Sequence, residues 1–213
     1  MRWTKRPFDL FCCTILAIAM APIFVWIAFK IKRDSDGPIL YVSERMKSPT
    51  EGFGLFKFRT MAVVDEDENT GVTGGDKDAR ITKYGTYLRR TRLDELPQLW
   101  NIILGHMSLV GPRPPLREYV ERFPDIYNDV LQDKPGVTGL ASLTYSGHEA
   151  YLLTNCSSSE ETDSVYTSRC IPTKAKLDLM YRSKFSPCLD YWIIWETLFR
   201  SKARKGSSKM RLK

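Results

Sequence analysis

One stretch constrains this chain before anything else. Phe8 to Ile31 is a run of 24 residues whose only charges are Asp9 near its start and Lys30 near its end. As a straight helix it measures about 36 Å, enough for a hydrocarbon layer of about 30 Å. A cleaved signal peptide does not fit. The apolar run is too long, and Trp26, Phe29 and Lys30 stand where small cleavage-site residues belong. A plain spanning helix is one reading. Pro22 argues for another, because an interior proline lacks the N–H and crowds the preceding turn. It divides the run into Leu10–Ala21 and Ile23–Phe29, and neither half alone crosses a bilayer. Both flanks are basic: Arg2, Lys5 and Arg6 before, Lys30, Lys32 and Arg33 after. Lys/Arg bias sets orientation, so symmetric flanks favour both ends on the cytoplasmic side. A spanning helix and a bent helix that re-enters its own leaflet both stay open on these grounds.

Charge separates the rest of the chain into two parts. The formal net charge is +7, from 32 basic and 25 acidic residues. Seven of the basic residues lie in 200–213: Arg200, Lys202, Arg204, Lys205, Lys209, Arg211 and Lys213. Without them the charges balance, which argues against a nucleic-acid groove, where basic charge is spread over the fold. A terminal basic tail suits an anionic membrane surface, and a merely solvated end is the competing view. The five cysteines are irregularly spaced and form no C-x-x-C pair, which fits a reducing compartment. His106 and His148 are the only histidines and argue against a zinc site.

Patterning and turn residues predict strands over Pro38–Val42 and Phe53–Met61 and a loop over Val63–Asp78. A helix is expected over Lys83–Thr91, capped by Thr82, and another from Pro97 to Leu104. Gly111–Pro115 is a rigid proline-rich loop. Short helices are expected over Leu116–Phe123 and Ile126–Gln132. Lys134–Leu143 should end in a short apolar strand, and Asn155–Asp163 reads as a loop. Lys174–Tyr181 and Leu189–Phe199 read as helices, the last aromatic-rich as an interfacial helix needs to be, although an ordinary core helix has the same pattern. The sum is an α/β chain, mainly helical with a small β-sheet.

Three clusters can carry chemistry. In Arg89–Pro97 (RRTRLDELP), Asp94 and Glu95 stand between arginines and a helix start marked by proline. A helix start suits anions, arginines grip phosphate oxygens in pairs, and two carboxylates can share Mg²⁺ with substrate phosphates. A carboxylate can also attack phosphorus itself. A charged helix start is the plain alternative. In Lys57–Met61 (KFRTM), alternation puts Lys57 and Arg59 on one face, able to grip a diphosphate or simply to be solvated. In Gly111–Pro115 (GPRPP), prolines hold the backbone on both sides of Arg113 and present its guanidinium with little entropy to lose.

With KRPFDL at Lys5–Leu10, ARITKYGTYLRRTRLDELPQLWNIILG at Ala79–Gly105, MSLVGPRP at Met107–Pro114, KPGVTGLASL at Lys134–Leu143 and IPTKAKLDLMY at Ile171–Tyr181, these clusters resemble the bacterial sugar transferases, specifically the small monotopic phosphoglycosyl transferases. The resemblance covers nearly all of residues 5–199 and lacks only the polytopic N-terminal region of larger members. It implies a re-entrant membrane helix over 1–33 broken at Pro22, with Asp9 also inside it. A catalytic domain over 34–199 with interfacial amphipathic helices, and a basic tail over 200–213, complete the implied plan. It implies that a UDP-sugar gives its sugar 1-phosphate to polyprenyl (undecaprenyl) phosphate. Asp94 would be the nucleophile, Asp94 and Glu95 would hold Mg²⁺, and Lys57, Arg59, Arg89 and Arg113 would bind phosphates. Pro112, Pro114, Asp178 and Tyr181 would line the nucleotide or sugar pocket. The implied setting is the bacterial cytoplasmic membrane with its anionic lipids, catalytic domain towards the cytoplasm, no nucleic acid, and a homodimer as a compatible assembly.

The chain also departs from that pattern. Ser146 stands where an arginine often contacts phosphate, with Arg169 and Arg182 as substitutes. His106 stands where an acid is common, and Lys134 replaces an arginine. Ala21 precedes Pro22 where serine is frequent. A membrane-anchored adaptor without activity is the competing function, opposed by the intact Asp94, Glu95 and Arg113.

Overall fold

The computed structural model describes residues 5–63 and 80–200. The apolar run forms one helix, α1 (Lys5–Asp34). Among the described residues it is the one helix long and apolar enough to cross a membrane. The helix continues through Pro22, so the expected division into Leu10–Ala21 and Ile23–Phe29 is not a break in helical structure. One proline removes one intrahelical bond, and Pro22 is exposed, so its ring meets no packed neighbour that would force the chain apart.

Both ends of α1 dock on the same body. At the first end Arg6 donates to the Ile102 carbonyl (2.6 Å) and the Ile103 carbonyl (3.1 Å), and the Cys13 thiol to the Leu99 carbonyl (3.3 Å). At the other end Ile27 and Ile31 pack with Phe58 and Leu88 in one core cluster. Phe24 rests on Phe58 with ring centroids 4.6 Å apart. Between these attachments the apolar side chains stand clear: Ile18 is 71% exposed and Val25 69%. A face this apolar and this uncovered marks an interaction surface, and on a long apolar helix that surface is for lipid.

Strands β1 (Leu40–Met46) and β2 (Gly52–Phe58) pair antiparallel, Leu40 opposite Phe58 and Met46 opposite Gly52. The outer edge of β2 is closed by a side chain. Asn101 accepts from the Phe56 N–H (3.0 Å) and donates to the Gly54 carbonyl (2.7 Å), so one buried amide stands in for a third strand. The first strand is longer than expected and the second shorter: Arg59 to Met61 leave the ladder, with Met61 in a single bridge to Ile81.

Helix α2 (Lys83–Thr91) starts where its cap predicts, with Thr82 Oγ1 accepting from the Gly85 N–H at 2.9 Å. A side chain at Gly85 would collide with the Thr60 carbonyl, so glycine lets α2 lie directly on the chain leaving β2. Arg92 ends α2 in the left-handed conformation (φ 57°), among the described residues the one non-glycine with positive φ. The chain then makes a 3₁₀ turn (Leu93–Glu95) and enters α3 (Gln98–Ile103).

Strand β3 (Ser108–Val110) leads into the proline-rich loop and pairs in parallel with β4 (Gly136–Thr138). A side chain at Gly111 would meet the Lys134 carbonyl, which explains a glycine at this crossing. Helices α4 (Arg117–Arg122) and α5 (Pro124–Val130) connect the two strands. The expected small sheet is thus two separate two-stranded pairs.

Two corrections follow β4. The apolar residues up to Leu143 are not a strand: β4 stops at Thr138 and Leu140 opens α6 (Leu140–Thr154). The expected loop over Asn155–Asp163 holds α7 (Ser159–Val165). Ser158 accepts from the Glu161 N–H (3.1 Å) while Glu161 reaches back to the Ser157 N–H (2.8 Å), a reciprocal cap that starts a helix despite its polar composition. A π-helical turn (Tyr166–Cys170) joins α7 to α8 (Ile171–Ser183), and α9 (Pro187–Trp195) continues into a second π-helical turn, Glu196–Arg200. On α9, Tyr191, Trp192 and Trp195 are exposed, while Ile193 is buried. From residue 64 on, the expected loop over 63–78 lies outside the described residues, as does the tail from 201.

Candidate active site

The 3₁₀ turn presents the two adjacent carboxylates. Arg92 reverses the backbone after α2, and Pro97, whose φ of −61° suits a helix start, leads into α3. A turn of three residues with no room for a longer loop fixes Asp94 and Glu95 between two helices. Three cations surround Glu95: Arg113 at 3.4 Å, Lys57 at 3.7 Å and Arg92 at 3.7 Å. The Glu95 side chain is 12% exposed, so these contacts act in a partly desolvated place. Burial raises the Asp94 carboxyl above its ordinary range, and the adjoining Glu95 adds to the rise. Lys57 and Arg89 oppose it. Burial lowers the Lys57 ammonium, with Glu95 pulling the other way.

Four of the expected site residues therefore gather: Asp94, Glu95, Lys57 and Arg113. Arg89 stands on the last turn of α2, where its Nε donates to Thr60 Oγ1 (2.9 Å) and its charge reaches Asp94. Arg59 does not join them. It is buried and donates to the Ser35 carbonyl (2.8 Å) and the Asp36 carbonyl, capping the end of α1. The alternation rule fails because the strand ends at Phe58, between the two cations.

Arg113, which touches Glu95, also lines a cavity. Pro114 lines it, as do Arg45, Glu149, Lys174 and Asp178. Burial pushes the Asp178 carboxyl up to about 7, against the pull of Lys174. Pro112 is buried, and its carbonyl accepts from the Gly136 N–H (2.8 Å), tying the proline loop to β4. Tyr181, one helical turn beyond Asp178, opens on a different cavity at the root of α1. There Tyr181 donates to Asp190, and Lys5 donates to both the Tyr181 hydroxyl and Asp190, the latter at 3.0 Å. Arg182 holds the Asp129 carbonyl (3.1 Å) and Gln132 on that same side.

Mg²⁺ takes one or two carboxylates and completes its shell with waters and substrate phosphates. Among the described residues, no three acidic, histidine or cysteine side chains converge as a protein cage. The Asp94–Glu95 pair, flanked by cations suited to phosphate, fits an ion brought in with a diphosphate.

Two residues that sequence reasoning passed over shape the site. Asn101 holds β2 and so places Lys57; its signal was an amide inside an apolar helix, which must be bonded if buried. Arg45 lines the cavity beside Arg113, and nothing in β1 distinguishes it from a solvated strand charge.

Residues 1–203 match the family model described as bacterial sugar transferase. Three similar proteins are an undecaprenyl-phosphate galactose phosphotransferase of Salmonella typhimurium, a UDP-glucose:undecaprenyl-phosphate glucose-1-phosphate transferase of Klebsiella pneumoniae, and the exopolysaccharide production protein PSS of Rhizobium leguminosarum. The first is 36% identical over 65% of this chain and 32% of its own length. The second is 32% identical over 95% of this chain and 41% of its own. The third is 41% identical over 65% of this chain and 72% of its own. The chain therefore spans less than half the length of the first two. With the family match running from the root of α1 past α9, and the LDELP dyad facing the GPRP arginine across 3.4 Å, this chain belongs to the bacterial sugar transferase family.

Proposed function

We propose that this chain transfers a sugar 1-phosphate from a UDP-sugar to polyprenyl phosphate, through a covalent intermediate on Asp94. The observation that carries the reading is the dyad itself: two adjacent carboxylates on a tight turn, one ringed by three cations, at the foot of an exposed apolar helix. Two of the similar proteins are named for transfer of galactose or glucose phosphate to undecaprenyl phosphate.

Lys57, Arg89 and Arg113 hold the diphosphate oxygens and spread the charge that builds at phosphorus. The Asp94 carboxylate attacks the β-phosphorus. An Asp94 oxygen–phosphorus bond forms, the bond from that phosphorus to the bridging oxygen breaks, and UMP leaves with the electron pair. An oxygen of polyprenyl phosphate then attacks the same phosphorus and releases Asp94 as carboxylate, giving polyprenyl diphosphate sugar. Asp94 and Glu95 are the residues that would hold Mg²⁺, which neutralises diphosphate charge and steadies the departing UMP.

The acceptor dictates the setting. A polyprenyl chain stays in lipid, so its phosphate must meet the dyad at the membrane surface. Both ends of α1 dock on one body, which supports a helix that enters and leaves by one face of the membrane. That face is the cytoplasmic one by its basic flanks. Cysteines placed at residue 7 and residue 33 should both resist a membrane-impermeant thiol reagent added from the periplasmic side; labelling of one alone means the helix spans. For the reaction, the test is UMP release from a panel of UDP-sugars with undecaprenyl phosphate and Mg²⁺. No release from any donor would sink the transfer reading.

A further inference from the structure

We infer that the cavity behind Arg113 holds the glycosyl group of the donor as a neutral, hydroxylated ring, and that Arg45 and the Lys174–Glu149 pair read its hydroxyl pattern. This rests on the transfer reading above and adds Arg45 and Glu149, which no motif in the sequence singles out.

Arg113 lines the cavity and also touches Glu95 at 3.4 Å, so one guanidinium links the cavity to a diphosphate held at the dyad. Its polar wall carries both signs. Lys174 donates to Glu149 at 2.9 Å and reaches the Tyr166 hydroxyl at 3.4 Å. Two atoms of its lining residues are buried with no partner: Asp178 Oδ1 and Arg45 Nε. Asp178 is 9% exposed. A buried acceptor and a buried donor without partners, both on residues that line the cavity, are costly unless a ligand satisfies them. The remaining wall is apolar, with Val130, Ile171 and Ala175 packed in one core cluster.

The chemistry of that wall selects the occupant. The diphosphate of a nucleotide sugar only accepts hydrogen bonds, so it cannot satisfy the Glu149 and Asp178 oxygens on the same wall. The pairing edge of uracil offers one N–H and two carbonyls, so it cannot donate to both carboxylates; in the nucleoside only the two ribose hydroxyls could, and UMP inhibition separates that case. Ring hydroxyls can donate to each and accept from Arg45 and Lys174, and the C–H face of a hexose suits the apolar side. The diphosphate and UMP then lie outside the cavity, towards Lys57 and Arg89.

The experiment uses the full chain with undecaprenyl phosphate and Mg²⁺, comparing wild type with Arg45→Gln, Glu149→Gln and the uncharged cavity-narrowing Ala175→Val. It measures KM for UDP-glucose, UDP-galactose and their N-acetylamino counterparts, the inhibition constant of UMP, and the melting midpoint as a check on folding. Loss of one charged contact should raise KM about tenfold for the preferred donor and reorder the donors. UMP inhibition should stay within about twofold, because UMP makes no contact there. Ala175→Val should penalise the N-acetylamino donors more than the hexoses. If UMP inhibition weakens by the same factor as KM rises, the cavity takes the nucleoside and the inference is wrong. Unchanged KM values and donor order in all three folded variants also overturn it. Wild-type protein that releases no UMP from any donor sinks the transfer reading itself, a result the variants do not enter.

Discussion

Two carboxylate–cation clusters in this molecule look alike in composition and differ in every physical respect that matters. At the root of α1, Asp190 is 2% exposed and fully engaged: Lys5 at 3.0 Å, the Tyr181 hydroxyl on its other oxygen, and the Lys5 ammonium over the Tyr181 and Phe185 rings at about 5 Å. At the dyad, Glu95 sees three cations, none closer than 3.4 Å. Short, saturated contacts form a clasp that holds the membrane helix to the body. Longer contacts, shared among more cations than one carboxylate needs, leave donors for phosphate oxygens. On the proposed mechanism the same residue types serve structure in one place and chemistry in the other, and the distances differ accordingly.

The sharpest way to break this comparison is to neutralise one carboxylate in each cluster. Asp94→Asn keeps the shape and removes the attacking anion, so turnover should fall by about three orders of magnitude or more, with the melting midpoint unchanged. Near-normal UMP release from the purified variant would end the nucleophile assignment. Asp190→Asn should do the reverse. It leaves the Lys5 ammonium half-paired in a buried place, at a cost of about 3 kcal/mol. For a chain of this size that lowers the melting midpoint by roughly 6–12 °C. Turnover per folded molecule should hold at low temperature. A thermal midpoint that does not move would show that the clasp is idle.

A smaller effect separates the two roles of Lys57. On the proposed mechanism Asp94 attacks as the anion, and its carboxyl titrates above the ordinary carboxylate range through burial and Glu95. Activity is therefore present above that raised value and lost as pH falls through it. Lys57 lowers the Asp94 value, so Lys57→Met should move the acid limb of the rate profile to higher pH while also raising KM. A limb that stays put would remove Lys57 from the electrostatics of Asp94 and leave it a substrate contact. Smallest of all, Arg92→Gly relieves a left-handed arginine and gives up one exposed contact to Glu95. Stability should change by about 1 kcal/mol or less, and a large loss of activity would assign Arg92 a phosphate.

These particulars also show what a sequence makes legible. Thr82 capped its helix where its side chain chemistry requires, and the dyad, Lys57 and Arg113 meet as their motifs imply, because local turns and prolines place them. Arg59 was misread because alternation says which face a residue takes only while the strand lasts, and this one ends at Phe58. The α7 helix hid in a polar segment whose Ser158–Glu161 cap was present but outweighed by composition. Arg45 and Asn101 were beyond reach, since their roles depend on elements brought together from distant parts of the chain. Asp178 and Tyr181 share a motif and one helix, yet they face different cavities, which no spacing rule resolves.

The account turns on whether Asp94 carries the phosphosugar. Protein mixed with a UDP-sugar and Mg²⁺, without polyprenyl phosphate, should release about one UMP per active site and then stop. Mass spectrometry of the digested chain should find one hexose-phosphate adduct, on the peptide that holds Asp94, and added undecaprenyl phosphate should discharge it. An adduct on any other residue, or UMP that appears only once the acceptor is present, would contradict a covalent step at Asp94.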